Sequence, residues 1–175
     1  VFLKDFHSFV HILLMHQFRI QKVAEENFDQ FFSLVVALAN FEHLPPPDDA
    51  AKMRLFRDCS SSSPRFEAFL VFSETTAIAY AIIFETYSSF LAQPLLYLED
   101  IFVLPEYRKQ HVGRFLFRYL LSLATERGYG RMEWHVLDWN TNAIEFYKRI
   151  GAAHMNEWLL FRLTEQHINE LSATL

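Results

Sequence analysis

The chain has 175 residues, 51% of them hydrophobic, which favours one domain with a sizeable core. A formal net charge of −5 argues against broad nucleic-acid binding. The single cysteine, Cys59, excludes an internal disulfide and a thiolate zinc cluster, and no run reaches the roughly 18 apolar residues needed to span a membrane.

Residues 1–15 read VFLKDFHSFVHILLM, with Phe2, Phe6, Phe9, Val10, Leu13 and Leu14 at near-helical spacing. Asp5, His7 and His11 break the apolar stretch a signal peptide needs, so this extension is read as a docking helix or as sequence upstream of a start at Met15. Phe18–Val23 predicts a first strand. Glu25–Asn40 predicts a helix with a broad apolar face of Phe28, Phe31, Phe32, Val35, Val36 and Leu38. Pro45, Pro46 and Pro47 stop it, and Asp48 and Asp49 suit the cap and first turn of a helix over Ala50–Arg57. Phe66–Phe72 and Ala77–Phe84 predict a hairpin turned by Ser73–Thr76, and Leu95–Val103 a central strand. Val112–Arg127 carries a helical stripe of Phe115, Leu116, Tyr119, Leu120, Leu123 and Ala124, with Gly128 as its stop. Arg131–Val136 predicts a strand, Thr141–Ile150 a helix closed by Gly151, Glu157–Leu163 a last strand and Glu165–Leu171 a final helix. The order implies a mixed α/β (α+β) sheet with helices packed on it.

The stretch that carries chemistry is LYLEDIFVLPEYRKQHVG, residues 96–113. An apolar strand bearing two carboxylates runs into a Pro-Glu-Tyr turn, a basic loop and a helix. Backbone N–H groups and positive side chains at a helix N-terminus form a recipe for holding phosphates, although a solvated basic turn has the same pattern. Glu99 and Asp100 are strand neighbours, so strict alternation sends them to opposite faces. A protonated amine, with a pKa near 10.4, must lose a proton before it can act as a nucleophile, and a carboxylate can take it. The eight histidines form no HExxH or other ligand pattern, so no metal is expected, and no GxxxxGK[ST] occurs.

Three stretches carry a resemblance: LANFEHL at 38–44, the 96–113 segment, and LDWNTNAIEFYKRIGA at 137–152. With the element order, they make the chain resemble the GNAT superfamily of acetyl-CoA-dependent N-acetyltransferases. Within it the chain is most similar to the diamine (spermidine/spermine) and thialysine N-acetyltransferases. The likeness covers about residues 16–165, and residues 16–175 are taken as one domain. It implies a mixed, mostly antiparallel central sheet flanked by helices, a homodimer in the cytoplasm, a small-molecule amine substrate, and acetyl-CoA as co-substrate. Neither nucleic acid nor membrane is an expected partner.

The resemblance also implies residue roles. Ile101, Phe102 and Val103 offer backbone groups to the pantetheine arm. Arg108, Lys109, Gln110, His111, Val112, Gly113 and Arg114 hold the pyrophosphate. Asn140 caps the 141–150 helix or binds the arm of the cofactor, with Ala143 beside it. Phe41 and Glu42 line the substrate groove, and Glu99 holds the amine and helps to deprotonate it, leaving Asp100 structural. Tyr147 protonates the departing thiolate. Two departures stand out. His111 replaces the first glycine of the loop, so its Cβ would crowd the pyrophosphate if the backbone there needs positive φ. Ser88 and Phe90 stand where polyamine-specific relatives carry an acid and a Trp. The expected reaction is direct attack of a primary amine of a polyamine, diamine or lysine-like amino acid within a ternary complex. The alternatives are a protein or peptide N-acetyltransferase and a non-catalytic acyl-CoA sensor.

Overall fold

The computed structural model describes residues 17–174, so the reading of residues 1–15 lies outside the described residues. The described residues divide into two compact units, one ending at His135 and the other beginning at Val136.

The first unit is built on five strands: β1 (Phe18–Lys22), β2 (Glu67–Ser73), β3 (Thr76–Ser88), β4 (Gln93–Val103) and β5 (Met132–Trp134). They lie in chain order, antiparallel throughout except for the parallel pair β4–β5. Three helices accompany them: α1 (Phe28–Phe41), α2 (Asp49–Ser60) and α3 (Val112–Glu126). The predicted caps form as chemistry requires. Asp48 accepts from the Ala51 N–H at 2.7 Å at the start of α2, and Gly128 takes φ +68 just past α3.

The core forms because aromatic stripes from helix and sheet meet. Phe28, Phe31 and Leu34 of α1 and Cys59 of α2 pack with Phe72, Tyr80, Ile82 and Phe102 of the sheet. Phe31 meets Tyr80 edge-on at 5.5 Å, and both are fully buried. Burying a side chain of this size stabilises the fold by about 1.5–3 kcal/mol. Across the sheet, α3 buries Leu116, Phe117 and Leu120, and Phe117 meets Trp134 of β5 edge-on at 5.5 Å.

One ionic clasp joins three elements of this unit. Glu67 of β2 receives Lys22 of β1 at 2.7 Å and a two-pronged contact from Arg127, just beyond α3, whose Nη2 lies at 3.1 Å. The Arg127 hydrogen bonds, aided by Lys22 and opposed by burial, hold the Glu67 carboxyl down at about 2. Its folded pKa is below the unfolded one, so this contribution is present above about pH 4.5 and is lost as pH falls through about 2. Glu67→Gln should therefore lower stability near neutral pH by about 1–2 kcal/mol, allowing for solvent screening. The gap between variant and wild type in urea denaturation should narrow as pH approaches about 2.

The second unit contains α4 (Thr141–Arg149) and α5 (Glu165–Ser172). The expected strand over Glu157–Leu163 is absent, which corrects the sequence reading. Trp158, Leu159, Leu160, Phe161 and Leu163 are all exposed. Their composition favours a strand, but a strand exists only when a neighbouring ladder satisfies its backbone groups. Among the described residues none pairs with this segment.

Candidate active site

The site grows from an irregularity in β4. Along the β3–β4 ladder Ile82 faces Asp100 and Ile83 faces Leu98, so Glu99 is an extra residue, a β-bulge. The β4–β5 ladder runs from Leu96↔Met132 to Leu98↔Trp134 and stops, whereas β4 continues to Val103. From the bulge onward this edge of β4 has no β5 residue beside it. Beyond the bulge, the Leu104 N–H donates to the Ile78 carbonyl at 3.0 Å. By antiparallel alternation Phe102 then faces β3, and Ile101 and Val103 direct their backbone groups to the side β5 has left. Phe102 itself is a core residue, 4% exposed. An extended ligand carrying amide groups fits such an edge as an added strand would.

Where that edge ends, α3 begins. A Cβ built on Gly113 would lie 3.6 Å from Val103 Cγ2, which places the first turn of α3 against the end of β4. The loop before it has Lys109 at φ +62 and His111, the N-cap of α3, at φ +65. Lys109, His111 and Arg114 are exposed beside the unsatisfied N–H groups of the first turn, an arrangement that suits anions. Val112 is buried and anchors the helix. The side chain of Gln110 reaches back to the Glu106 carbonyl at 2.9 Å, so what it offers the loop is its backbone. Arg108 also turns inward. Its Nε donates to the Val103 carbonyl at 3.0 Å, and its guanidinium lies 4.4 Å over Phe41 and 5.5 Å from the Phe102 ring centre. The arrangement has the chemistry to suit two adjoining parts of a CoA molecule, an amide-bearing arm and a pyrophosphate.

The positive φ at His111 is the strained case foreseen from the sequence, since a Cβ is disfavoured in that region. His111→Gly should raise stability by about 0.5–1 kcal/mol, part of the relief being offset by greater freedom of the unfolded chain. It should not weaken CoA binding. Denaturation and calorimetric titration with CoA check both.

The substrate candidates gather on the α1 face of the sheet. Phe41, the last residue of α1, lies 6.0 Å from Phe102. Glu42 is the C-cap of α1, the wrong helix end for a negative charge, and burial raises its pKa. Glu99 is exposed at the bulge. Asp100 accepts from the Tyr80 hydroxyl at 3.2 Å. Burial first, then Glu99 and Glu42, push its carboxyl up to about 6, against the Tyr80 hydrogen bond. Nearby, the Tyr97 hydroxyl and His135 Nδ1 are hydrogen-bonded between β4 and the residue after β5.

In the second unit Asn140 Oδ1 accepts from the Ala143 N–H at 3.3 Å, so Asn140 caps α4 and occupies the Ala143 donor. Tyr147 lies on α4 with its ring 5.6 Å from Phe146, edge-on. Burial pushes its phenol up to about 12.

The model of the acetyltransferase (GNAT) family matches residues 21–152, most of the chain. The chain belongs to the GNAT family.

As a GNAT protein it is an acetyl-CoA-dependent N-acetyltransferase. It is 39% identical over 109 residues to the L-ornithine N5-acetyltransferase NATA1 of Arabidopsis thaliana, a match covering 61% of this chain and 48% of that protein. It is 28% identical over 161 residues to the thialysine N-epsilon-acetyltransferase of Caenorhabditis elegans, covering 90% of this chain and 99% of that one. Among solved structures, an integron cassette protein of V. cholerae has the same fold, with a TM-score of 0.79 at 18% identity over 90% of this chain and 99% of that chain. An aminoglycoside N-acetyltransferase solved with CoA has a TM-score of 0.66 at 20% identity, covering 83% of this chain and 94% of that one.

The first unit thus brings Phe41 against Arg108 of the 108–114 loop, and Glu42 and Glu99 to the neighbourhood of Asp100 on the strand that runs into that loop. Sequence reasoning missed the partnership of Tyr80 with Asp100. Two adjacent acids at a strand interior were its only visible signal.

Proposed function

We propose that the enzyme acetylates the side-chain amine of a small lysine- or ornithine-like amino acid, or one end of a short diamine. The observation that carries this reading is the open stretch of β4, with Glu42 and Glu99 beside it and the N-terminus of α3 at its end. The names of the ornithine and thialysine acetyltransferases support the same substrate class. Ser88 is buried, with its hydroxyl oxygen accepting from the Leu91 N–H at 3.2 Å, and Phe90 is 97% exposed. Neither adds a charge for a second amine of a long polyamine.

Acetyl-CoA, when bound, supplies an acetyl group activated as a thioester. The backbone of Ile101 and the N–H of Val103 hold its arm, their N–H groups polarising the carbonyl, while the Val103 carbonyl stays with Arg108. Lys109, Arg114, the backbone of His111 and the first N–H groups of α3 hold the pyrophosphate, with Arg108 bracing the loop. Glu99 and Glu42 attract the ammonium group, and Phe41 walls the groove. Tyr147 keeps a proton available for the departing sulfur. No covalent acyl-enzyme is needed, because Cys59 is buried in the core, its thiol 3.5 Å from the Phe56 carbonyl. The working form is a cytoplasmic homodimer, which would cover the exposed apolar stretch Trp158–Leu163; light scattering of the purified protein tests the assembly.

Acetyl-CoA-dependent thiol release across ornithine, lysine, thialysine, putrescine, spermidine, spermine, an aminoglycoside and short peptides tests the substrate. Saturable turnover should be best on the lysine-like acids and short diamines. Turnover on peptides alone would overturn the small-molecule reading.

A further inference from the structure

The bulge at Glu99 gives the two neighbouring acids different work. Strict alternation would place Asp100 on the face opposite Tyr97. The extra residue resets the alternation, so Tyr97, which pairs with Phe84, and Asp100, which pairs with Ile82, share the α1 face. On that face Asp100 meets Tyr80, fully buried between Phe31 at 5.5 Å and Phe102 at 6.4 Å. Glu99 is the exposed acid and Asp100 the sheltered one. The groups acting on Asp100 are the Tyr80 phenol of β3, Glu99 of β4 and Glu42 at the end of α1. Arg108, from the loop after β4, lies over the Phe41 and Phe102 rings on the same side.

Folding alone gives no reason for this arrangement. Two acids flank a third in a half-buried place, and one of them sits on a helix C-terminus that disfavours it. Violations of several local rules together are what functional sites carry at the expense of stability. An ammonium ion is the ligand that would relieve all three acids, and it must then give up a proton.

We propose that Asp100, held by Tyr80, is the base that takes the proton from the bound amine, and that Glu99 binds the ammonium group without accepting its proton. The inference rests on the amine-acetyltransferase reading above. The ammonium N–H breaks and an O–H forms on the Asp100 carboxyl. The freed nitrogen lone pair forms the N–C bond to the acetyl carbon as the C–S bond breaks with its electron pair on sulfur. A second nitrogen proton balances the one delivered to sulfur. The Asp100 proton then leaves to solvent, so one proton is released per acetyl transferred at neutral pH.

A carboxyl lifted to about 6 suits this work, since a base is most effective with a pKa near the working pH. Wild-type kcat/KM should fall below about pH 6. Asp100→Asn keeps an oxygen for the Tyr80 hydroxyl, and should lower kcat about 100-fold or more and remove that acid limb. Glu99→Gln should raise the KM for the amine, keep kcat within about tenfold and retain the limb. Tyr80→Phe removes a hydrogen bond that favours the ionised carboxylate, and should move the limb to higher pH.

A second readout needs no turnover. The folded pKa of Asp100, about 6, lies above its ordinary 3.8, so the folded state holds this proton more tightly. Stability from this group is therefore full below about pH 4 and is lost as pH rises through about 6. The difference in melting temperature between wild type and Asp100→Asn should shift in favour of the variant across that window. Wild-type turnover with the acid limb kept in Asp100→Asn and lost in Glu99→Gln would overturn the proposal alone. Absence of wild-type turnover on every amine would overturn the substrate reading as well.

Discussion

Replacing Tyr147 with Phe should lower kcat about 100-fold while leaving CoA affinity nearly intact. The substitution removes one oxygen and keeps the ring, so the edge-on contact with Phe146 and the turns of α4 survive. Burial pushes the phenol up to about 12, so the group stays protonated through the working range and contributes no basic limb of its own below about pH 11. As a weaker acid than a free thiol, it would act first as a hydrogen-bond donor to charge growing on sulfur and then as the proton source. Such an interaction exists only as the C–S bond breaks, so kcat and kcat/KM should fall together. Steady-state kinetics with direct CoA titration check this. A variant with wild-type kcat would remove Tyr147 from the reaction.

Much of this architecture was legible because its signals were local. The aromatic stripe of Phe28, Phe31 and Phe32 declared α1, Asp48 declared the start of α2, and Gly128 and Gly151 marked the two stops, both at positive φ. The loop before α3 was legible for the same reason, since its charges and turn residues are contiguous. Features that depend on a neighbour were not. The bulge is a register relation between Ile82, Ile83, Leu98 and Asp100, and no residue within β4 announces it. Strict alternation allowed only one of the two acids at a given site and the resemblance favoured Glu99, whereas the α1 face encloses Asp100 with Tyr80. The same limit explains Glu157–Leu163. Its composition reports a preference for being buried as a strand, and the strand would have to be supplied from elsewhere. Arg108 is an intermediate case. Its charge beside a helix N-terminus was visible, but its stacking on Phe41 needed the fold.

Arg108 is the residue whose replacement should most disturb cofactor binding. Arg108→Ala should raise the KM for acetyl-CoA about 10–100-fold and lower the melting temperature, and Arg108→Lys should recover little of either. Three contacts meet in this side chain: Nε on the Val103 carbonyl, the guanidinium plane on Phe41, and a face towards Phe102. A hydrogen bond from a charged donor contributes about 1.5–3 kcal/mol, and a cation–π contact about 0.5–2 kcal/mol depending on solvent exclusion. Together they tie the end of β4 and the end of α1 to the loop that leads into α3. Desolvation lowers the pKa of Arg108, yet a guanidinium stays charged at any working pH. Lysine keeps that charge but has neither the plane to stack on Phe41 nor the second arm to hold Val103 at the same time. The loss would then be one of position rather than of charge, because the outward groups of Val103 and the first turn of α3 must face one ligand together. Phe41→Leu separates the two contributions. It removes the stacking ring and keeps the Val103 bond, so it should weaken acetyl-CoA binding less than Arg108→Ala does, while impairing amine binding from the groove side. If Arg108→Lys matched wild type in both KM and melting temperature, Arg108 would be acting on the pyrophosphate as a charge alone, and its contacts with Val103 and Phe41 would be incidental to binding.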